Sequence, residues 1–141
     1  MIRLGAILFS VAAALLLAAP ASAAEPSVLQ PGLWEVTIKI LLSDATPTLV
    51  ERICISKEQA DHPEPPKLGK GADCQVTGAL AGNKLKYQIK CGRKNATSDS
   101  EFTYSGDRYE GVVTIRNDEV GEVRQVYTAR RIGDCPTEKD E

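Results

Sequence analysis

The sequence predicts a mainly β fold: an antiparallel meander of about seven strands, curved into a half-barrel or small barrel, with one short helix between strands 2 and 3. Three observations carry this prediction. Past residue 23, apolar and polar residues alternate with a period of two, the mark of half-buried strands. Short turns bearing Gly, Asn, Asp or Pro separate the alternating runs. The one helix-starting signal is cut off within two turns by a proline cluster.

In chain order, residues 1–23 read as a signal peptide. Arg3 supplies a positive start, residues 5–19 are rich in Ala, Leu, Val and Ile, and Ala21-Ser22-Ala23 offers a small-x-small cleavage site. The apolar run of about 15 residues falls short of the roughly 20 that a spanning helix needs, and Pro20 follows at once. The expectation is export to the periplasm or beyond the cell. One disulfide-bridged β-domain then occupies 24–135, with a loose charged tail at 136–141.

Charge narrows the function. The chain carries 17 basic and 19 acidic residues, one His and a net charge of −2. A nucleic-acid binder needs a basic stripe to neutralise phosphates, and none is present. No nucleic-acid partner, cofactor or metal is expected, and no transmembrane segment after signal cleavage.

The first strand runs from Gly32 to Leu42, with Trp34, Val36, Ile38, Ile40 and Leu42 on one face and Glu35, Thr37 and Lys39 on the other. Ser43-Asp44-Ala45-Thr46-Pro47 reads as a turn, and Thr48 to Ile55 as a second strand. Centring the hairpin on that cluster pairs Leu42 with Leu49, Ile38 with Ile53 and Val36 with Ile55, making the Trp34 face the core face. Ser56 and Gln59 form a capping box for the short helix, which His62-Pro63-Glu64-Pro65-Pro66 ends. A polar linker leads to Cys74. The segments after it read as strands around Gly82-Asn83 and Gly106-Asp107, the second turn placing Tyr104 opposite Tyr109. A last strand of mixed pattern covers Glu122 to Ile132.

All four cysteines fall after residue 23, and an even count in a small exported domain reads as two disulfides. A two-residue turn at Gly82-Asn83 brings Cys74 opposite Cys91 at a non-hydrogen-bonded position, where a bridge fits. Cys54 is then left for Cys135, a long loop whose closure entropy is worth on the order of 4 kcal/mol. Alternation puts Cys54 on the face opposite Leu49, Ile53 and Ile55, so this second bridge requires an irregularity or a strand end nearby. The spacings match no zinc module, and Cys135 has no His or Lys beside it to favour a thiolate.

Several stretches together resemble the exported bacterial domain-of-unknown-function family 3617. They are Pro31-Gly32-Leu33-Trp34-Glu35, Cys54-Ile55-Ser56, the cysteine-flanked hairpin, Tyr104-Ser105-Gly106-Asp107-Arg108-Tyr109-Glu110-Gly111 and Arg130-Arg131-Ile132-Gly133-Asp134-Cys135. The resemblance covers nearly all of the chain past residue 23. It implies an exported, cysteine-bridged β-domain and no assigned activity.

No nucleophile–base motif is present, so no catalytic residue is assigned. Lone His62 reads as a solvated loop residue, and Gly69-Lys70-Gly71 as an ordinary turn. The candidate ligand-binding residues are Arg130 and Arg131, which could grip an anion bidentately, and Tyr104 and Tyr109, which could line a concave face. For both pairs internal packing is the competing reading. The leading function is a non-catalytic binding or interaction module of the bacterial envelope, meeting an envelope protein or a small ligand. One alternative is a carrier of small apolar ligands with a tyrosine-lined face. A second is a glycan hydrolase using carboxylates among Asp99, Glu101, Asp107 and Glu110.

Overall fold

A computed structural model of the chain describes residues 28–68 and 73–137. The expected signal peptide, the leader up to residue 27, the Gly69-Lys70-Gly71 turn and the end of the tail lie outside the described residues. The elements are β1 (Gly32–Leu41), β2 (Thr48–Ile55), α1 (Lys57–Asp61), β3 (Cys74–Ala81), β4 (Lys84–Cys91), β5 (Ala96–Tyr104), β6 (Arg108–Asn117) and β7 (Gly121–Gly133). The seven strands form one antiparallel sheet in the order β2-β1-β7-β6-β5-β4-β3. This is the order of a seven-stranded up-and-down barrel opened between β2 and β3, where the chain runs instead through α1. The result is an open half-barrel.

Two-residue turns set register locally. β3 and β4 meet with Cys74 opposite Cys91, Val76 opposite Ile89 and Leu80 opposite Leu85, as the sequence predicts. β5 and β6 likewise pair Tyr104 with Tyr109. Gly82 and Gly106 hold φ values of +61° and +74°, a region that costs glycine nothing.

The β1–β2 hairpin departs from the predicted pairing. Gly32, Trp34 and Ile38 lie opposite Ile55, Ile53 and Leu49, a slip of four residues from the register read off the sequence. The chain reverses at the first turn-permissive pair, Ser43-Asp44. The Leu42 N–H donates to the Ala45 carbonyl at 3.0 Å, and the Ile40 N–H to the Pro47 carbonyl at 2.9 Å. Pro47 acts only as an acceptor, so the return bond of this pair to the Ile40 carbonyl is not made, and the regular ladder of β2 begins at Thr48. Four is even, so every side chain keeps its predicted face.

That face carries the core. Trp34 and Val36 are fully buried, and Leu29, Ala60, Leu85, Tyr104 and Ala129 pack with them. The helix contributes Ala60. Its N-terminus is held by a reciprocal box, in which Ser56 Oγ accepts from the Gln59 N–H and Gln59 Oε1 accepts from the Ser56 N–H. His62, exposed, forms its C-cap.

Both disulfides are formed. Cys74 and Cys91 join β3 to β4 with Cα atoms 4.0 Å apart, and Cys54 and Cys135 join across 5.5 Å. The irregularity that the second bridge needs lies in the β1–β7 pairing, where the register shifts between Leu33 and Trp34. Leu33 pairs with Cys54 on one side and Gly133 on the other. Cys135, two residues further on, therefore crosses the start of β1 to reach Cys54 on the outer face.

Phe102 lies across from Gly111, and a Cβ at Gly111 would collide with its ring. Gly111→Ala is expected to cost about 1–3 kcal/mol in urea unfolding. Gly133→Ala, where a Cβ meets nothing within 4 Å, should stay within about 0.5 kcal/mol.

Candidate functional site

The motifs that make the sequence recognisable meet at one corner of the sheet. Arg131 Nε donates to the Pro31 carbonyl at 2.7 Å, and its guanidinium also pairs with Asp134. The guanidinium lies so close to Gly32 that no Cβ could be accommodated there. The Arg131 N–H reaches the Asp107 carbonyl at 2.9 Å, the Gln30 N–H the Gly106 carbonyl at 2.9 Å, and Trp34 Nε1 the Gln30 carbonyl at 3.0 Å. The opening, the Tyr104–Gly111 stretch and the closing motif thus hold one another.

Arg130 sits one residue away and on the opposite face, because successive side chains of a strand alternate. It pairs with Glu35 at 2.8 Å, and Arg52 approaches the same carboxylate at 3.6 Å. The hydrogen bond from Arg130, joined by the charge of Arg52, holds the Glu35 carboxyl below its ordinary pKa. The two arginines therefore do not converge on one anion. Each is occupied within the protein.

The tyrosines do converge. Tyr87, Tyr104, Tyr109 and Tyr127 all lie on the apolar face and form a continuous aromatic layer with Phe102 and Trp34. Ring centroids lie 5.5 Å apart for Trp34–Tyr109, 5.7 Å for Tyr104–Tyr109, 6.1 Å for Phe102–Tyr109 and 5.4 Å for Phe102–Tyr127. A pocket of about 260 Å³ opens within this layer. Tyr87, Phe102, Tyr104 and Tyr109 line it with Leu85 and Ile55, and Glu64 and Pro66 border it from the segment after α1. Sequence alternation identifies the tyrosines of this wall. Glu64 and Pro66 could not be found that way, since a proline-rich connection has no periodicity.

Burial pushes the Tyr104 and Tyr109 phenols up to about 12 and raises Tyr127 as well. Neighbouring phenols and, for Tyr109 and Tyr127, the Glu51 carboxylate add to the rise.

A larger hollow of about 990 Å³ lies on the polar face of β4–β7, over Val112 and Val126 and among Lys86, Glu101, Glu110 and Arg124. A twisted sheet is saddle-shaped, so its polar face can be concave too, which linear alternation does not reveal. The carboxylates named for hydrolysis gather partly here. Glu101 sits 3.3 Å from Lys86 and 3.4 Å from Lys84, and Asp99 sits 2.9 Å from Arg116. A hydrogen bond from Lys86 lowers the Glu101 pKa, whereas a glycosidase acid needs its pKa raised. Asp107 stands apart in the β5–β6 turn.

These features define a class: a small, doubly bridged open half-barrel with an aromatic pocket on its core face. The chain belongs to the family described as Protein of unknown function (DUF3617), which matches residues 29–135. None of the curated proteins and none of the solved structures matches it.

The pocket phenols also predict alkaline behaviour. Their pKa is near 10 in the unfolded chain and about 12 at Tyr104 and Tyr109 when folded, so the native state holds their protons longer. The stability they contribute is complete below pH 10 and is lost as pH climbs from about 10 towards 12. A phenolate absorbance titration should show the Tyr104 and Tyr109 phenols ionising late, in a step coincident with unfolding.

Proposed function

We propose that the protein is an exported, non-catalytic binding module of the cell envelope whose ligand site is the tyrosine pocket. The observation that carries this reading is the opening of about 260 Å³ left in the aromatic layer of the core face. Among the described residues, the Tyr104 and Tyr109 hydroxyls bordering it make no hydrogen bond, which leaves two polar atoms for a ligand. Two disulfides suit an oxidising compartment. No helix among the described residues is long and apolar enough to cross a membrane. With the signal-like first 23 residues, these features support export to the periplasm or beyond.

A second reading has its own support. The β1–β2 hairpin exposes Leu42 and Leu49 on its core face and Leu41 and Val50 on the other, with Leu49 and Val50 at 54% and 62% exposure. Exposed apolar side chains on a hairpin at the sheet edge suit contact with another envelope protein.

Native mass spectrometry of protein recovered from the periplasm separates the two readings. A discrete added mass, lost when Tyr104 is replaced by Leu in a folded variant, is the result expected for the ligand site. A bare chain in the native spectrum would turn attention to the hairpin end. The denatured mass reports the cleavage site, expected after Ala23.

A further inference from the structure

The pocket's walls specify a ligand chemistry, and the inference rests on the binding role just proposed. We propose that the tyrosine pocket binds a small organic cation with a methylated ammonium head, held against the rings of Tyr87, Phe102, Tyr104 and Tyr109 and drawn in by Glu51 and Glu64. Four aromatic residues in one small opening form the kind of wall that attracts a cation through the negative faces of the rings.

Ring geometry supports this. Tyr104–Tyr109 and Phe102–Tyr109 meet edge to face, at 71° and 72°. In such a contact the edge-on ring keeps its own faces uncovered. Tyr87 and Phe102 instead lie near parallel, at 12° with centroids 6.3 Å apart, so the open faces of this wall are those of Tyr104 and Tyr109.

Charge points the same way. Glu51 lies on the core side of β2 opposite Val36, and its negative charge is felt at Tyr109 and Tyr127. Glu64, at the rim, is paired with the Lys67 ammonium at 2.8 Å, and both side chains are well exposed. An anion would meet repulsion here.

Size and polarity narrow the class further. About 260 Å³ falls just below the roughly 300–1,000 Å³ of pockets for drug-sized ligands, so it suits a head group and a short chain. A bare ammonium needs three hydrogen-bond acceptors, and this wall is mostly carbon. A methylated ammonium carries its charge behind an apolar surface and suits both the rings and the carboxylates.

The test is calorimetric titration of the purified, disulfide-bonded protein with choline and with choline's neutral carbon analogue, in which a tert-butyl group replaces trimethylammonium. Choline should bind about tenfold more tightly than the neutral analogue. Glu51→Gln, a change on an edge strand, should weaken choline about threefold and leave the analogue unchanged. Tyr87→Leu should weaken choline, because it removes one ring of the wall. Equal or tighter binding of the neutral analogue would overturn the cation proposal while leaving an apolar ligand site standing. If neither compound binds and the native mass spectrum is bare, the ligand-site reading itself fails.

Discussion

The structure depends on the seam between its first and last strands. Every other strand pairing joins chain neighbours, whereas β1 and β7 meet across roughly the whole domain, from Leu33–Gly133 to Leu41–Arg124. Without that seam the sheet would fall into two pieces, the β1–β2 hairpin and the β3–β7 meander. The protein therefore concentrates its specific contacts there. Trp34 is buried beneath the seam, Glu35 and Arg130 pair above it, Arg131 holds Pro31, and the Cys54–Cys135 bridge fastens its outer side. A non-local pairing incurs loop-closure entropy before any contact is gained, so it benefits most from such fastening.

This explains what the recognisable residues are for. The opening and closing motifs are two halves of one joint, and the Gly106-Asp107 turn braces it through the Gln30 and Arg131 amides. Arg130 and Arg131 looked in the sequence like a candidate anion grip, since two adjacent arginines can supply several donors. Strand alternation sends them to opposite faces, and each finds its partner within the fold. Tyr104 and Tyr109, the other candidate pair, stay together because the same alternation operates across a two-residue turn.

Legibility followed the range of the interaction. The hairpins at Gly82-Asn83 and Gly106-Asp107 could be read to the exact pairing because a two-residue turn leaves one register. The five turn-permissive residues of Ser43–Pro47 admit several registers, and centring the hairpin on them gives a pairing four residues from the one formed, with every face preserved. The capping box at Ser56 was readable because both partners lie within one turn. The β1–β7 pairing, the opening between β2 and β3, and the border formed by Glu64 and Pro66 depend on residues far apart in the chain. No local pattern encodes them. The hollow on the polar face depends on sheet twist, which the alternation of a single strand cannot convey.

The central claim is that Arg131 and the contacts around it hold the first two strands onto the rest. Native-state hydrogen exchange on Arg131→Ala tests it most directly, because exchange reports opening strand by strand. The amides of β1 that bond to β7 should lose protection selectively, with β4 and β5 keeping theirs. An equal loss in all strands, or no loss in β1, would contradict it.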